Sequence, residues 1–275
     1  MANEYNAYAS LTQLKNWLDI DSTTWDVELL TSLIAASRQI DQLCMRHFYV
    51  STGTRYYDGS GNPFYLPDDL LTVTTFKLDE DGDATYESTL ATTDYQLMPL
   101  NDPAKTWVAI SSNSTYGGFA SGIRAGIQIV GNFGHGDGNS STPYFTSDSL
   151  AAEAIDSSET AIDVDDGTDF GAGQTILIGS EQMYIRSIST NTLTVVRAVN
   201  GTTAAAHDDD SAIYVYQYPE PITQATLIQA MRWWKRRESA FQDAVGNPET
   251  GMINVFKGLD PDIKMIVQQY KRKVW

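Results

Sequence analysis

Cysteine is almost missing: Cys44 stands alone in 275 residues. A disulfide framework within one copy is excluded, and the composition fits a reducing compartment. Histidine is nearly as scarce. His47, His135 and His207 make up the full set, and none has a second His or Cys at metal-ligand spacing, which argues against a zinc site. No run of about 18 apolar residues occurs, and no cationic stretch leading into an apolar one opens the chain. We therefore expect no membrane span, no export signal, and synthesis and use in a cytoplasm. Positive charge is the last shortage, with 18 Lys and Arg set against 35 Asp and Glu for a formal net charge of -17.

That shortage is uneven. Residues 1–219 hold nine cations and 29 acids, a net of -20, whereas Glu220 to the end holds nine cations and six acids, a net of +3. Between Gly138 and Pro219 the only cations are Arg186 and Arg197. An acidic body repels nucleic acid, because affinity for DNA rests on cations displacing counterions from phosphates. Tight DNA binding is disfavoured; lying beside DNA is not.

What is present reads as helix at both ends and strand between. Ser10 followed by Gln13 is a capping-box signature, and Leu11, Leu14, Trp17 and Leu18 repeat at helical spacing. In WDVELLTSLIAASRQIDQLCMRHF, Leu30, Leu33, Ile34, Ser37, Ile40, Cys44 and Phe48 form one stripe of a long amphipathic helix, with His47 at its C-terminal end. From residue 51 short aromatic and β-branched runs alternate with Gly, Asn and Pro, including a DEDGD turn at 79–83. Residues 139–218 are rich in Ser, Thr, Asp, Ala and Gly, with brief strands at regular spacing, and read as a small β-barrel or sandwich inserted into a host. Helix returns in ITQATLIQAMRWWKRRESAFQDAV, where Leu227, Met231, Trp234, Phe241 and Val245 share a face, and a last helix starts at Asp260-Pro261. The fold class is α+β. We expect a discontinuous helical core from residues 1–50 and 219–275, a β-rich segment over 51–138, and an inserted β domain over 139–218.

Catalytic motifs do not assemble. DEDGD has Asp at the first, third and fifth positions of a calcium loop, but Ala84 takes the place of the required glycine and strands flank it. DVDDGTD at 163–169 has its glycine one place early. GIQIVGNFGHG lacks the Gly-Lys-Ser/Thr ending of a P-loop, and GFASG misplaces Ser121 for a nucleophile elbow. We read the chain as non-enzymatic, with no cofactor and no metal.

RWWKRR, residues 232–237, gathers four cations and two tryptophans. One reading is an amphipathic helix with Trp234 in the core and solvated cations outside. A second makes Arg232, Trp233, Lys235 and Arg236 a subunit interface, since Trp and Arg are enriched at interface hot spots. A third puts the cations on DNA, against the field of 29 acids elsewhere.

The order of these signals resembles the head–tail connector (adaptor) family of tailed bacteriophages. The likeness runs through LTQLKNWLDI, ELLTSLIAASRQIDQLCMRHF, DLLTVTTFKLDEDGDATYE, IRAGIQIVGNFGHG and PEPITQATLIQAMRWWKRRESAF, covering about residues 9–137 and 219–245. The chain departs from it by about 80 residues between the Gly-rich turn and the proline-led helix. Within them EQMYIRSISTNTLTVVRAVNGTTAAAH is similar to a small β module of phage structural proteins. The resemblance implies a virion neck protein made in the host bacterial cytoplasm. It implies a homo-oligomeric ring, usually of twelve, docked under the portal protein, extending the DNA channel and receiving the stopper or tail-completion protein. Genomic DNA would pass without specific binding. The portal contact would fall to Lys271, Arg272, Lys273, Val274 and Trp275. A competing expectation is a tail or baseplate binding module that acts through the insertion, using Tyr184, Tyr214 and Tyr216.

Overall fold

A computed structural model describes residues 5–59, 61–119, 122–238, 244–247, 252–255 and 258–273. The chain divides into two compact units, one from the described residues of Met1–Met45, Thr146–Val199 and Ala204–Arg272, the other from those of Arg46–Phe145, Asn200–Thr203 and Lys273–Trp275. The helices and the second β-sheet thus share one unit.

In that unit α1 (Leu11–Leu18) starts at the expected capping box: Ser10 Oγ accepts from the Gln13 amide at 3.2 Å, and Gln13 Oε1 accepts from the Ser10 amide at 2.8 Å. α2 (Asp26–Cys44) has no side-chain cap, but Asp26 and Glu28 in its first turn complement the helix dipole. It stops at Met45, which turns left-handed at φ 56°, so His47 lies beyond the helix rather than at its end. α3 (Glu220–Glu238) and α4 (Pro261–Tyr270) complete the helices, Asp260 capping α4 by accepting from Asp262 N at 3.0 Å. Leu14, Leu29, Leu33, Ala36, Leu227, Ala230 and Trp234 pack together as one buried cluster. Each large aliphatic side chain buried there contributes about 1.5–3 kcal/mol.

The helical stripe expected as far as Val245 ends sooner. Val245 lies in a strand of a hairpin, Ala244–Asn247 paired antiparallel with Met252–Val255, and Phe241 lies outside the described residues.

The second sheet of this unit is built from β7 (Tyr144–Leu150), β8 (Ala161–Asp163), β9 (Thr175–Ile178), β10 (Glu181–Ser189), β11 (Thr192–Val196) and β12 (Ala212–Tyr216). Its order is β7-β12-β9-β10-β11-β8, all antiparallel where paired. It is an open sheet, not a closed barrel. Its two ends meet at a single bridge between Ala151 and Val164. Alternating Ile176, Ile178, Met183, Ile185, Leu193, Val195, Ile213 and Val215 form its core. The Leu11 amide donates to Ala172 O at 2.8 Å, and Thr175 Oγ1 donates to Asn6 Oδ1 at 3.0 Å, tying this sheet to the helical part.

The other unit is a six-stranded sheet of β1 (Ser51–Tyr57), β2 (Phe64–Leu78), β3 (Ser88–Thr89), β4 (Tyr95–Met98), β5 (Lys105–Ile110) and β6 (Ile127–Phe133), ordered β1-β6-β2-β5-β4 with β3 on β2. Phe64, Phe76, Phe119, Ile127, Ile129 and Phe133 anchor its core. The Gly-rich turn after β6 is forced by crowding: a Cβ on Gly134 would sit 2.1 Å from Tyr49 O.

Candidate interaction surfaces

The RWWKRR segment occupies the last two turns of α3. Trp234 is buried in the helical cluster, and Trp233 is half-buried against it. Arg232 Nη1 donates to Asp260 Oδ2, linking α3 to the cap of α4. Arg237 stacks on two indoles, its Cζ 4.3 Å from the ring centre of Trp25 and 4.6 Å from that of Trp234. Lys235 is exposed and Arg236 half-buried. The fold therefore places Arg232, Trp233, Lys235 and Arg236 at one end of α3, with Trp233 directed partly into the chain's own core.

The C-terminal segment begins anchored. Lys271 is exposed, but Arg272 is 8% exposed and its amide donates to Cys44 O at 2.8 Å, satisfying a carbonyl of the last turn of α2. Lys273 is exposed again, while Val274 and Trp275 lie outside the described residues. The aromatic surface expected on the insertion is mostly absent: Tyr184 is 1% and Tyr216 5% exposed, leaving Tyr214 at 37%. Burial follows from register. Tyr184 lies against Tyr5, ring centres 5.5 Å apart, and Tyr216 against Tyr218 at 4.6 Å.

Charge is sorted in a way the sequence does not reveal. Six of the nine cations before residue 220 are spent internally. Lys15–Asp26 (2.8 Å), Arg38–Asp41 (2.9 Å), Arg46–Asp69 (3.2 Å), Arg55–Asp68 (2.8 Å) and Arg197–Glu181 (2.7 Å) are ion pairs, and Lys105 Nζ donates to the carbonyls of Pro99, Leu100 and Asp102. Among the described residues, Lys77, Arg124 and Arg186 are the body cations outside these contacts. The surface of this part is therefore dominated by carboxylates.

The three histidines are absorbed by structure. Nε2 of His47 faces Phe133 O at 3.3 Å, and burial, followed by Arg55, lowers its pKa to about 4. Arg46 Nη1 lies 2.7 Å from His135 Nδ1, and burial and that guanidinium lower His135 to about 4 as well. Nε2 of His207 lies 3.0 Å from Glu181 Oε2 in the Arg197 network. The DEDGD turn brings carboxylate oxygens of Asp79, Asp81, Asp83 and Glu87 within 4.8 Å of one another. Ala84 there adopts φ 67°, the left-handed conformation a calcium loop gives to glycine, and Asp79 accepts from Gly82 N at 2.7 Å and Ala84 N at 2.9 Å. These four residues are the described ones best placed to hold a metal ion.

A groove of about 990 Å³ opens between α1, α2 and β10. Leu11, Ile20, Leu30, Ile34, Ala172 and Ile188 supply its apolar surface. Leu30 and Ile34, expected in the core stripe of α2, are half-buried in this groove, and Leu29 and Ala36 take core positions instead.

No family profile and no curated protein matches the chain. Among solved structures, a chain from the neck of an empty gene-transfer-agent particle, computed with C6 symmetry, is similar over 51% of this chain and 71% of that one, with 20% identity and a TM-score of 0.35. A likeness that distant assigns no function by itself.

Proposed function

We propose that the chain is a structural adaptor of a phage-like virion neck, a ring under the portal that extends the DNA channel and receives the stopper or tail. The observation that carries this reading is the sorting of charge. Internal pairing of the body's cations leaves an acidic exterior, and the exposed cations that remain are concentrated on α3 and the C-terminal segment. A channel wall of carboxylates denies DNA the counterion-release term that would hold it. Basic and aromatic groups at one helix end suit protein contacts, where charge complementarity sets register and partner. The order of elements that resembles the adaptor family supports the same reading. We infer a structural role rather than catalysis, in a ring of about twelve subunits.

Lys271, Lys273, Val274 and Trp275 are the proposed portal contacts. Arg272, whose amide bonds Cys44 O, anchors the start of the tail against the end of α2. The test is to mix the protein with a portal ring from the same genome and image the product by electron microscopy, with full-length chain and with a chain lacking residues 273–275. An added tier of regular rotational symmetry, lost on truncation, supports the reading. No added tier with the full-length protein refutes it.

A further inference from the structure

Resting on the ring reading above, we propose that the groove between α1, α2 and β10 is a docking site for the β4–β5 loop of a second copy of this chain. Four features of the groove describe its occupant. Its floor is apolar, with Val27 77% exposed at its edge beside Leu30 and Ile34. Its β10 wall is an unpaired strand edge. β9 pairs with β10 only from Glu181 to Tyr184, and Ile185 exchanges hydrogen bonds with Gly173 and Gln174. Beyond Ile185, no described strand lies on the side of β10 opposite β11. An open edge of this kind leaves backbone groups free to bond an incoming segment.

The third feature is Arg186. It is the extra residue in a β-bulge, since Ile185 pairs with Val195 and Ser187 with Thr194. It is exposed in the groove lining, and it makes no ion pair among the described residues, unlike most cations of this part. The fourth is Tyr184, a lining residue 1% exposed, whose buried hydroxyl has no hydrogen-bond partner among the described residues. The occupant should therefore carry an apolar side chain and bring a carboxylate close behind it.

The β4–β5 loop has that chemistry. β4 is the last strand of its sheet and, among the described strands, pairs with β5 alone. It leads into Leu100, 68% exposed, followed by Asp102, which is exposed and whose carboxylate makes no hydrogen bond or ion pair among the described residues. Lys105 holds the loop by donating to the carbonyls of Pro99, Leu100 and Asp102, so its tip is preorganised. Leu100 of one copy would fill the apolar floor of the next, and Asp102 would meet Arg186. Head-to-tail contacts of this kind close into a ring when the rotation permits.

The experiment places the photo-crosslinker p-benzoylphenylalanine at Ser187, an exposed groove residue, and mixes that chain with ¹⁵N-labelled native chain on the portal. Adduct to the ¹⁵N tryptic peptide from Leu78 to Lys105 is the expected result. Arg186→Glu or Asp102→Arg should each cut the yield about tenfold, and the double variant should restore it, whereas a merely structural role would not be rescued. Rings visible by electron microscopy with no such adduct, or with adduct to the portal or to another segment, overturn the inference and leave the adaptor reading standing. No ring at all overturns both.

Discussion

Replacing Arg197 by Met should damage the inserted sheet far more than any surface change. Its guanidinium donates to both oxygens of Glu181 at 2.7 Å, to the carbonyls of Asp156 and Glu159 at 2.8 Å, and to Ala205 O at 2.6 Å. Glu181 is wholly buried and also accepts from the amides of Ala198 and Ala205. Removing one member of such a pair leaves an uncompensated buried charge, which costs about 3–5 kcal/mol. Removing both, in Arg197→Met with Glu181→Leu, should cost less than the two single changes added. Native-state hydrogen exchange at the amides of β9 and β10 reads this locally, which matters because two units need not unfold as one. Burial pushes the Glu181 carboxyl up, but the bonds from Arg197, Ala205 and His207 outweigh it and hold it at about 2. Its contribution is thus complete above about pH 4.5 and is lost as pH falls towards 2. In Arg197→Met that acid-side loss should largely disappear, because the bonds that depress the carboxyl go with the guanidinium. A single-mutant cost below about 1 kcal/mol would refute the reasoning.

Other outcomes follow from the same geometry. Gly134→Ala should destabilise the first sheet by at least about 2 kcal/mol in urea unfolding, because φ is 138° and the new Cβ would meet Tyr49 O at 2.1 Å. Both His47 and His135 are held neutral with pKa lowered to about 4, so the unfolded chain binds more protons below pH 6.5. Stability of that unit should fall as pH drops from 6.5 to 4, and His47→Gln with His135→Gln should flatten the slope. Leu33→Ala, at a fully buried site where α2 enters the helical cluster, should cost about 2–5 kcal/mol by thermal or urea unfolding. Duplex DNA at about 150 mM salt should not retain the native chain on an affinity column, and reversing Arg232, Lys235 and Arg236 to Glu should change that little.

The helices were legible where local chemistry decides them. Ser10 with Gln13, and Asp260 with Pro261, fixed two helix starts, because caps are satisfied within one turn. The stripe of α2 was read to one side, with Leu30 and Ile34 in place of Leu29 and Ala36, since apolar residues flanking a buried face look the same in sequence whether they meet a core or a groove. β7, a polar edge strand, gave no alternation signal in YFTSDSL. The open form of the second sheet and the burial of Tyr184 and Tyr216 depend on long-range register, which no short window contains. The same holds for charge. Composition gave the -20 and +3 split, but only the fold shows Arg197, Arg46 and Arg55 consumed by acids 16, 23 and 13 positions away. The candidate contacts on α3 were readable as a composition anomaly, whereas Arg186 became visible only through the bulge that exposes it.

In the proposed ring, carboxylates face the channel and the cations of α3 do not. A cryo-electron microscopy map of the ring on its portal, at a resolution that traces side chains, tests it most directly. The expected map shows a lumen lined mainly by Asp and Glu, with Arg232, Lys235 and Arg236 turned towards neighbouring protein. A lumen lined by those three cations would contradict it.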